Sequence, residues 1–161
     1  MKRILPSATL VLALGTSAWA QGAKPNFSGT WNLDTAKSDF GPMPALDSMV
    51  LVVEHKDPEL KISSTQKSAQ MGEITNERRI TTDGKPNTNK MRNMMGEQDV
   101  TSTTTWNGSK LATAATMDFQ GNKIELNDSW ELSEDGTMLT LVRNLKSDDG
   151  EIAQKFVFNK K

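Results

Sequence analysis

The chain has no cysteine and only one histidine, His55. Without thiols there is no disulfide to staple a fold and no thiolate nucleophile. One histidine rules out multi-histidine zinc sites and leaves a single candidate of its kind for general base. There is no G-x-S-x-G elbow, and the glycines sit where hairpin turns belong rather than ahead of helices, so no phosphate loop is implied. The formal net charge is only −1. With no run of like charge, nothing favours nucleic acid as a partner. Long apolar runs are missing beyond the first residues, so no later window suits a membrane-spanning helix. Helical periodicity is missing as well.

What is present begins with MKRILPSATLVLALGTSAWAQG. Lys2 and Arg3 precede a short apolar run, Ala8 to Leu14, and a small-x-small pattern, Ala18-Trp19-Ala20. This reads as a secretory signal peptide over residues 1–20, cleaved after Ala20, with an apolar part too short for a membrane span. It predicts a periplasmic or secreted protein whose domain covers residues 21–161. Losing the two positive charges of Lys2 and Arg3 takes the formal charge from −1 to −3.

The rest alternates in short runs between turn signals, the pattern of an all-β meander. Strands are expected over Gly29–Leu33, Ser48–His55, Leu60–Lys67, Glu73–Thr82, Asn87–Met91, Val100–Trp106, Lys110–Phe119, Lys123–Leu132, Thr137–Lys146 and Glu151–Asn159. The turns are explicit: Asp83-Gly84, Asn107-Gly108, Gly121-Asn122, Asp135-Gly136 and Asp149-Gly150 supply positive φ or Asx turns. The connector Thr35 to Asp47 carries SDFGPMPAL and reads as an ordered loop. Some eight to ten antiparallel strands joined in sequence favour an up-and-down barrel, which removes exposed edges. Thr101, Thr103 and Thr105 on one face, and Glu73, Glu77 and Arg79 on another, are water-facing patterns that argue against a membrane barrel.

A period of two sorts the faces. Candidate interior sets are Phe27, Gly29, Trp31 and Leu33; Val100, Ser102, Thr104 and Trp106; Leu111, Thr113, Ala115, Met117 and Phe119; Ile124, Leu126, Asp128, Trp130 and Leu132; Leu139, Leu141, Arg143 and Leu145; and Ile152, Gln154, Phe156 and Phe158. Apolar groups mixed with Thr, Ser, Ala and charges suit a barrel with a small, partly polar cavity better than a solid core. Arg78 and Arg143 share this inward parity. A buried guanidinium stays charged and must find an acceptor. Either Arg143 pairs with Asp128 across the hairpin, or it anchors a ligand anion. Arg78 has no evident partner and is either a ligand anchor or an exposed strand residue.

The stretch FSGTWNLD, with Phe27, Gly29, Thr30, Trp31 and Leu33, resembles the opening of the calycin superfamily, the lipocalins and fatty-acid-binding proteins. SDFGPMP, HKDPELKI, TTDGKPN and LSEDGTMLTLVR extend the resemblance to small exported bacterial lipocalin-like proteins. The resemblance implies a closed antiparallel barrel with a cavity for a small apolar or amphipathic ligand. It also implies that Gly29 and Trp31 form the closed end, with a basic side chain from a late strand over the Trp31 ring. Arg143, or else Lys155 or Lys160, is the candidate for that contact. The family's basic residue lies at or beyond the end of the last strand, whereas Arg143 lies in the penultimate one. The helix pair that fatty-acid-binding proteins insert after the first strand is replaced here by SDFGPMP.

The sequence thus predicts an exported binding or carrier protein. The expected ligand-binding residues are Arg78, Trp106, Met117, Phe119, Leu141, Arg143 and Phe156. No catalytic residue, cofactor or metal is implied. The competing readings are an envelope interaction protein without a ligand, and a small barrel enzyme using His55 or Asp128. The cluster Met91-Arg92-Asn93-Met94-Met95-Gly96 reads as an apolar loop at the barrel mouth, or as thioether ligands for Cu(I) with His55. His55 itself, beside the turn Lys56-Asp57-Pro58, is expected to be exposed.

Overall fold

The structure, a computed structural model, describes residues 24–93, 96–119 and 121–161, with Phe119 described by its backbone alone. The expected signal peptide lies outside these residues, as do Met94, Met95 and the Phe119 side chain. Among the described residues there is no helix, and the ten expected strands are all present. They are β1 (Gly29–Leu33), β2 (Ser48–Lys56), β3 (Glu59–Ser68), β4 (Gly72–Thr81), β5 (Asn87–Asn93), β6 (Gly96–Asn107), β7 (Lys110–Phe119), β8 (Asn122–Leu132), β9 (Met138–Ser147) and β10 (Gly150–Lys160). The largest departure in boundaries is at the β5–β6 hairpin, where pairing runs on to Arg92–Glu97 and Asn93–Gly96. Cross-strand pairing there outlasts the apolar alternation by which the sequence marks a strand.

All ten strands form one antiparallel sheet in the order β4-β3-β2-β1-β10-β9-β8-β7-β6-β5. The first strand pairs with the last, Trp31 opposite Lys160 and Leu33 opposite Phe158. The two free edges therefore belong to β4 and β5, which are consecutive in the chain. They face each other across a seam that Asn87 Nδ2 bridges to Thr81 Oγ1 at 3.2 Å and that two further asparagine side chains bridge to backbone. Asn76 Nδ2 donates to the Arg92 carbonyl at 3.1 Å while the Arg92 N–H donates to Asn76 Oδ1 at 2.6 Å. Asn89 does the same to Arg79, at 3.0 Å and 2.7 Å. Each amide side chain stands in for a stretch of backbone, offering one donor and one acceptor. The curled sheet is thereby nearly closed, and both edges are blunted.

The inward parity is the expected one, and it stacks the interior in cross-strand rows. One row, Phe156–Leu141–Trp130–Leu111–Trp106, is apolar. Below it lie Phe27, Trp31, Leu139 and Phe158, all with no measurable exposure. Together they fill the closed end. Here the FSGTWNLD stretch finds its role. The Trp31 indole N–H donates to the Phe27 carbonyl at 3.0 Å, and Lys160 Nζ lies 5.2 Å from the centroid of the Trp31 ring. Lys160, not Arg143, supplies the cation over the ring, because the paired strands place it directly beside Trp31. Gly29 has φ +145°, a conformation that strains any other residue, and an added Cβ would stand 2.9 Å from Lys160 Cε and push the lysine stem aside.

His55 is also part of the floor. Its side chain is 3% exposed, which overturns the expectation from its turn-side position: it continues the inward parity of Leu51 and Val53 on β2. Nδ1 accepts the Phe27 N–H at 3.1 Å, and the ring stacks on Trp106 with centroids 5.9 Å apart. Nε2 has no hydrogen-bond partner and lies 3.8 Å from Asp57 Oδ1. Asp57 already accepts from Thr82 Oγ1 at 2.6 Å, Trp106 Nε1 at 2.9 Å and Lys24 Nζ at 3.2 Å. These bonds hold its pKa down to about 2. Burial lowers the His55 pKa, and the nearby Asp57 charge offsets this only in part.

Two outcomes follow. Gly29→Ala is expected to destabilise the fold by more than about 1 kcal/mol in equilibrium denaturation, since alanine resists positive φ; a variant as stable as the parent would contradict this reading of the floor. For His55 the folded pKa lies below the unfolded value of 6.5. Stability is therefore full above that value and falls as the pH drops from it toward the depressed one. Denaturation midpoints should decline on acidification through this window, and the decline should shrink in His55→Asn; identical profiles for the two proteins would refute the assignment.

Candidate functional site

Above the apolar row the interior changes character. The next cross-strand row reads Gln154–Arg143–Asp128–Thr113–Thr104. Thr104 and Thr113 share a hydrogen bond of 2.8 Å. Asp128, its side chain 1% exposed, takes two bonds from Arg143, Nε to Oδ1 and Nη2 to Oδ2, both 2.8 Å. This fork-on-fork geometry matches a guanidinium to a carboxylate. Burial works against the Arg143 charge, but the Asp128 carboxylate outweighs it, and the guanidinium pKa is raised. The Arg143 side chain stays 25% exposed and lies over the Phe156 ring, 5.7 Å from its centroid.

Arg78 projects into the same space from β4, across the barrel. Its Nε is buried without a hydrogen-bond partner. Burial lowers its pKa; attraction to Asp128 opposes this, and repulsion from Arg143 adds to it. Arginine does not give up its proton in a protein, so the charge remains. The interior of the described residues thus holds two guanidinium groups and one carboxylate, and the carboxylate is committed to Arg143.

A cavity of about 150 Å³ opens beside this row. Leu141, Arg143, Gln154 and Phe156 form its inner wall, Met49 and Gln66 one side, and Gln70 and Met71 of the β3–β4 turn its rim. Phe40, Met43, Pro44 and Leu46 of the β1–β2 connector cover it. The connector is the SDFGPMP segment, and it is tied down at both ends. Asp39 and Lys155 exchange backbone bonds of 2.7 Å, and Gln154 Nε2 donates to the Phe40 carbonyl at 3.0 Å. Phe40 packs edge-on against Phe156, with centroids 5.7 Å apart. At Gly41, φ is +59° and an added Cβ would meet the Ala153 carbonyl oxygen at 2.8 Å, so glycine permits the close approach to β10. The Asp47 N–H reaches the Lys67 carbonyl at 2.8 Å and fixes the far end.

Of the expected ligand residues, Leu141, Arg143 and Phe156 meet at this cavity. Arg78 does not line it and belongs to the charged group beside it. Trp106 does not line the cavity: it sits in the floor against His55 and Phe27, with its N–H on Asp57. Met117, half-buried on β7, is not in the lining either. Parity had placed both inside, and both are inside, but parity carries no information on height along the axis. The residues that sequence reasoning left out are Phe40, Met43, Pro44, Leu46, Met49 and Gln66. The apolar members of SDFGPMPAL were the available signal, since an exposed loop has no use for Phe, Met and Leu so close together. His55 is spent in floor contacts, away from Met91 on β5; Met94 and Met95 lie outside the described residues. No cluster of three or more His, Asp or Glu suited to a metal occurs among the described residues.

No protein-family model matches the chain, and no curated protein does. Among solved structures it is similar to the zebrafish ileal bile acid-binding protein complexed with cholic acid, with a TM-score of 0.52 and 16% identity over 84% of this chain and 98% of that one. A variant of the fluorescent protein UnaG is equally similar, with a TM-score of 0.52 and 16% identity over 81% of this chain and 94% of that one. What is shared is the fold, a near-closed ten-stranded antiparallel barrel of the kind the calycin resemblance implies.

The Asp128–Arg143 pair carries a direct prediction. Asp128→Asn leaves two buried guanidinium groups without a counter-charge, which should cost about 3–5 kcal/mol of stability. Chemical denaturation measures it; a loss below about 1 kcal/mol would mean that the pair is not buried as described.

Proposed function

We propose that the chain is an exported binding or carrier protein for a small amphipathic molecule, held in the cavity under the β1–β2 connector. The observation that carries this reading is the composition of the site: an apolar chamber whose inner wall includes the Arg143 guanidinium, beside a second guanidinium, Arg78, whose buried Nε has no hydrogen-bond partner. Such a group costs stability in the empty barrel, and a ligand anion at Arg78 and Arg143 would relieve it. The secretory pattern at residues 1–20 supports export. Cholic acid in the similar zebrafish barrel is likewise an amphipathic anion, which agrees with this reading.

The two acid–base candidates of the enzyme reading are engaged elsewhere: His55 lies in the floor, outside the cavity lining, with Nδ1 bonded to the Phe27 N–H, and both oxygens of Asp128 are held by Arg143.

Native mass spectrometry of the protein isolated from the cells that produce it should reveal a co-purifying organic acid. Arg78→Met is expected to separate binding from folding. Removal of a buried, unpaired cation should leave stability unchanged or raise it by about 1–4 kcal/mol. Affinity for the anion should fall about ten- to a hundredfold. A variant that binds as well as the parent would refute the anchor.

A further inference from the structure

The barrel offers much less room than its ten strands suggest. Its closed half is solid: Phe27, Trp31, Leu139 and Phe158 have no measurable exposure, and Leu111, Trp130 and Leu141 are 1–4% exposed. Trp106 and His55 plug the side of that floor, stacked on one another. A ligand that enters from the mouth therefore stops at the Gln154–Arg143–Asp128 row. From Arg143 to the end of β9 at Ser147 is four residues, about 13 Å of strand at ~3.3 Å per residue, and less along the axis of a tilted barrel.

The cover limits the space from the other side, and it is tied to the barrel at both ends. Asp39 pairs with Lys155, Gln154 holds the Phe40 carbonyl, Ser38 Oγ accepts the Val157 N–H at 3.0 Å, and Asp47 is bonded to β3. Each bond would have to break for the connector to lift. Between floor and cover lies a space of about 150 Å³. That is roughly the size of an engineered cavity that takes up benzene, and below the ~300–1,000 Å³ of usual ligand pockets.

From this geometry we infer that the ligand is a compact organic acid, a carboxylate on one ring or on a chain of about six carbons, and that Phe40 sets the limit. Long-chain fatty acids and sterol-sized acids are excluded by the filled floor and the pinned cover. The inference rests on the carrier reading and adds the size class to it. The carboxylate sits at the charged row, and the apolar part packs between Phe156 and Phe40, with Met43 and Met49 at its edge. Methionine side chains adapt to the outline of what they touch, so the site admits several acids of one size rather than one alone.

The test is a calorimetric or NMR titration of the intact protein with phenylacetate, hexanoate, dodecanoate and cholate under one set of conditions. Phenylacetate and hexanoate should bind more tightly than dodecanoate and cholate by about tenfold or more. Phe40→Ala should move the ranking by a similar factor toward dodecanoate. Tighter binding of dodecanoate or cholate to the parent protein would overturn the size limit while leaving the carrier reading intact. No binding of any of the four, with phenylethanol and hexanol equally inert, would overturn both. Should Phe40→Ala fail to fold, the ranking on the parent protein still decides.

Discussion

The two bonds between Asp128 and Arg143 divide this barrel into its two halves. A carboxylate with 1% side-chain exposure cannot stand alone in an apolar interior, and its partner satisfies it with both oxygens engaged. The pair sits on one cross-strand row with Gln154, Thr113 and Thr104. Below that row the interior is aromatic and aliphatic and closes on itself; above it the walls part under the connector. Arg78 faces the same row with its buried Nε unbonded. The charged row is at once the roof of a solid core and the inner wall of a chamber, so a substitution there acts on folding and on binding together.

The floor follows a separate logic. Trp31, Phe27 and His55 are joined through backbone bonds rather than through one another's side chains: the indole donates to the Phe27 carbonyl and the Phe27 N–H donates to the imidazole. Phe27 is thereby packed into the barrel end. Lys160 covers the Trp31 ring from the last strand, so the first and last strands meet where the barrel is most tightly filled. The opposite seam, between β4 and β5, is bridged by the side chains of Asn76, Asn87 and Asn89. Closure is thus apolar and dense on one side, polar and sparse on the other.

Much of this was legible in the sequence. The ten strands and their inward faces came from a period of two and from the Gly and Asn turns, both local signals. The motif around Trp31 carried the fold beyond what alternation can say. The pairing of Asp128 with Arg143 was one of two readings that hairpin register allowed. What stayed hidden depends on depth and on tertiary contact. Trp106 and Met117 have the right parity, but height along the axis decides between floor and chamber, and it depends on strand tilt and stagger. His55 looked exposed because its neighbours are turn residues, although its own parity is inward. The cover was read as an ordered loop; that it is pinned to β10 and roofs the cavity follows from contacts more than a hundred residues apart, such as Gln154 to Phe40.

The central claim is that the interior holds one positive charge more than the protein neutralises, and that this charge belongs to Arg78. Side-chain 15N–1H NMR of the arginines during titration with phenylacetate tests it most directly. The account predicts a large shift at the Arg78 Nε–H, as it gains its first acceptor, with little change at the Arg143 Nε–H, already bonded to Asp128. An Arg78 signal that stays still while the acid binds, or an Arg143 Nε–H released from Asp128 by the ligand, would contradict it.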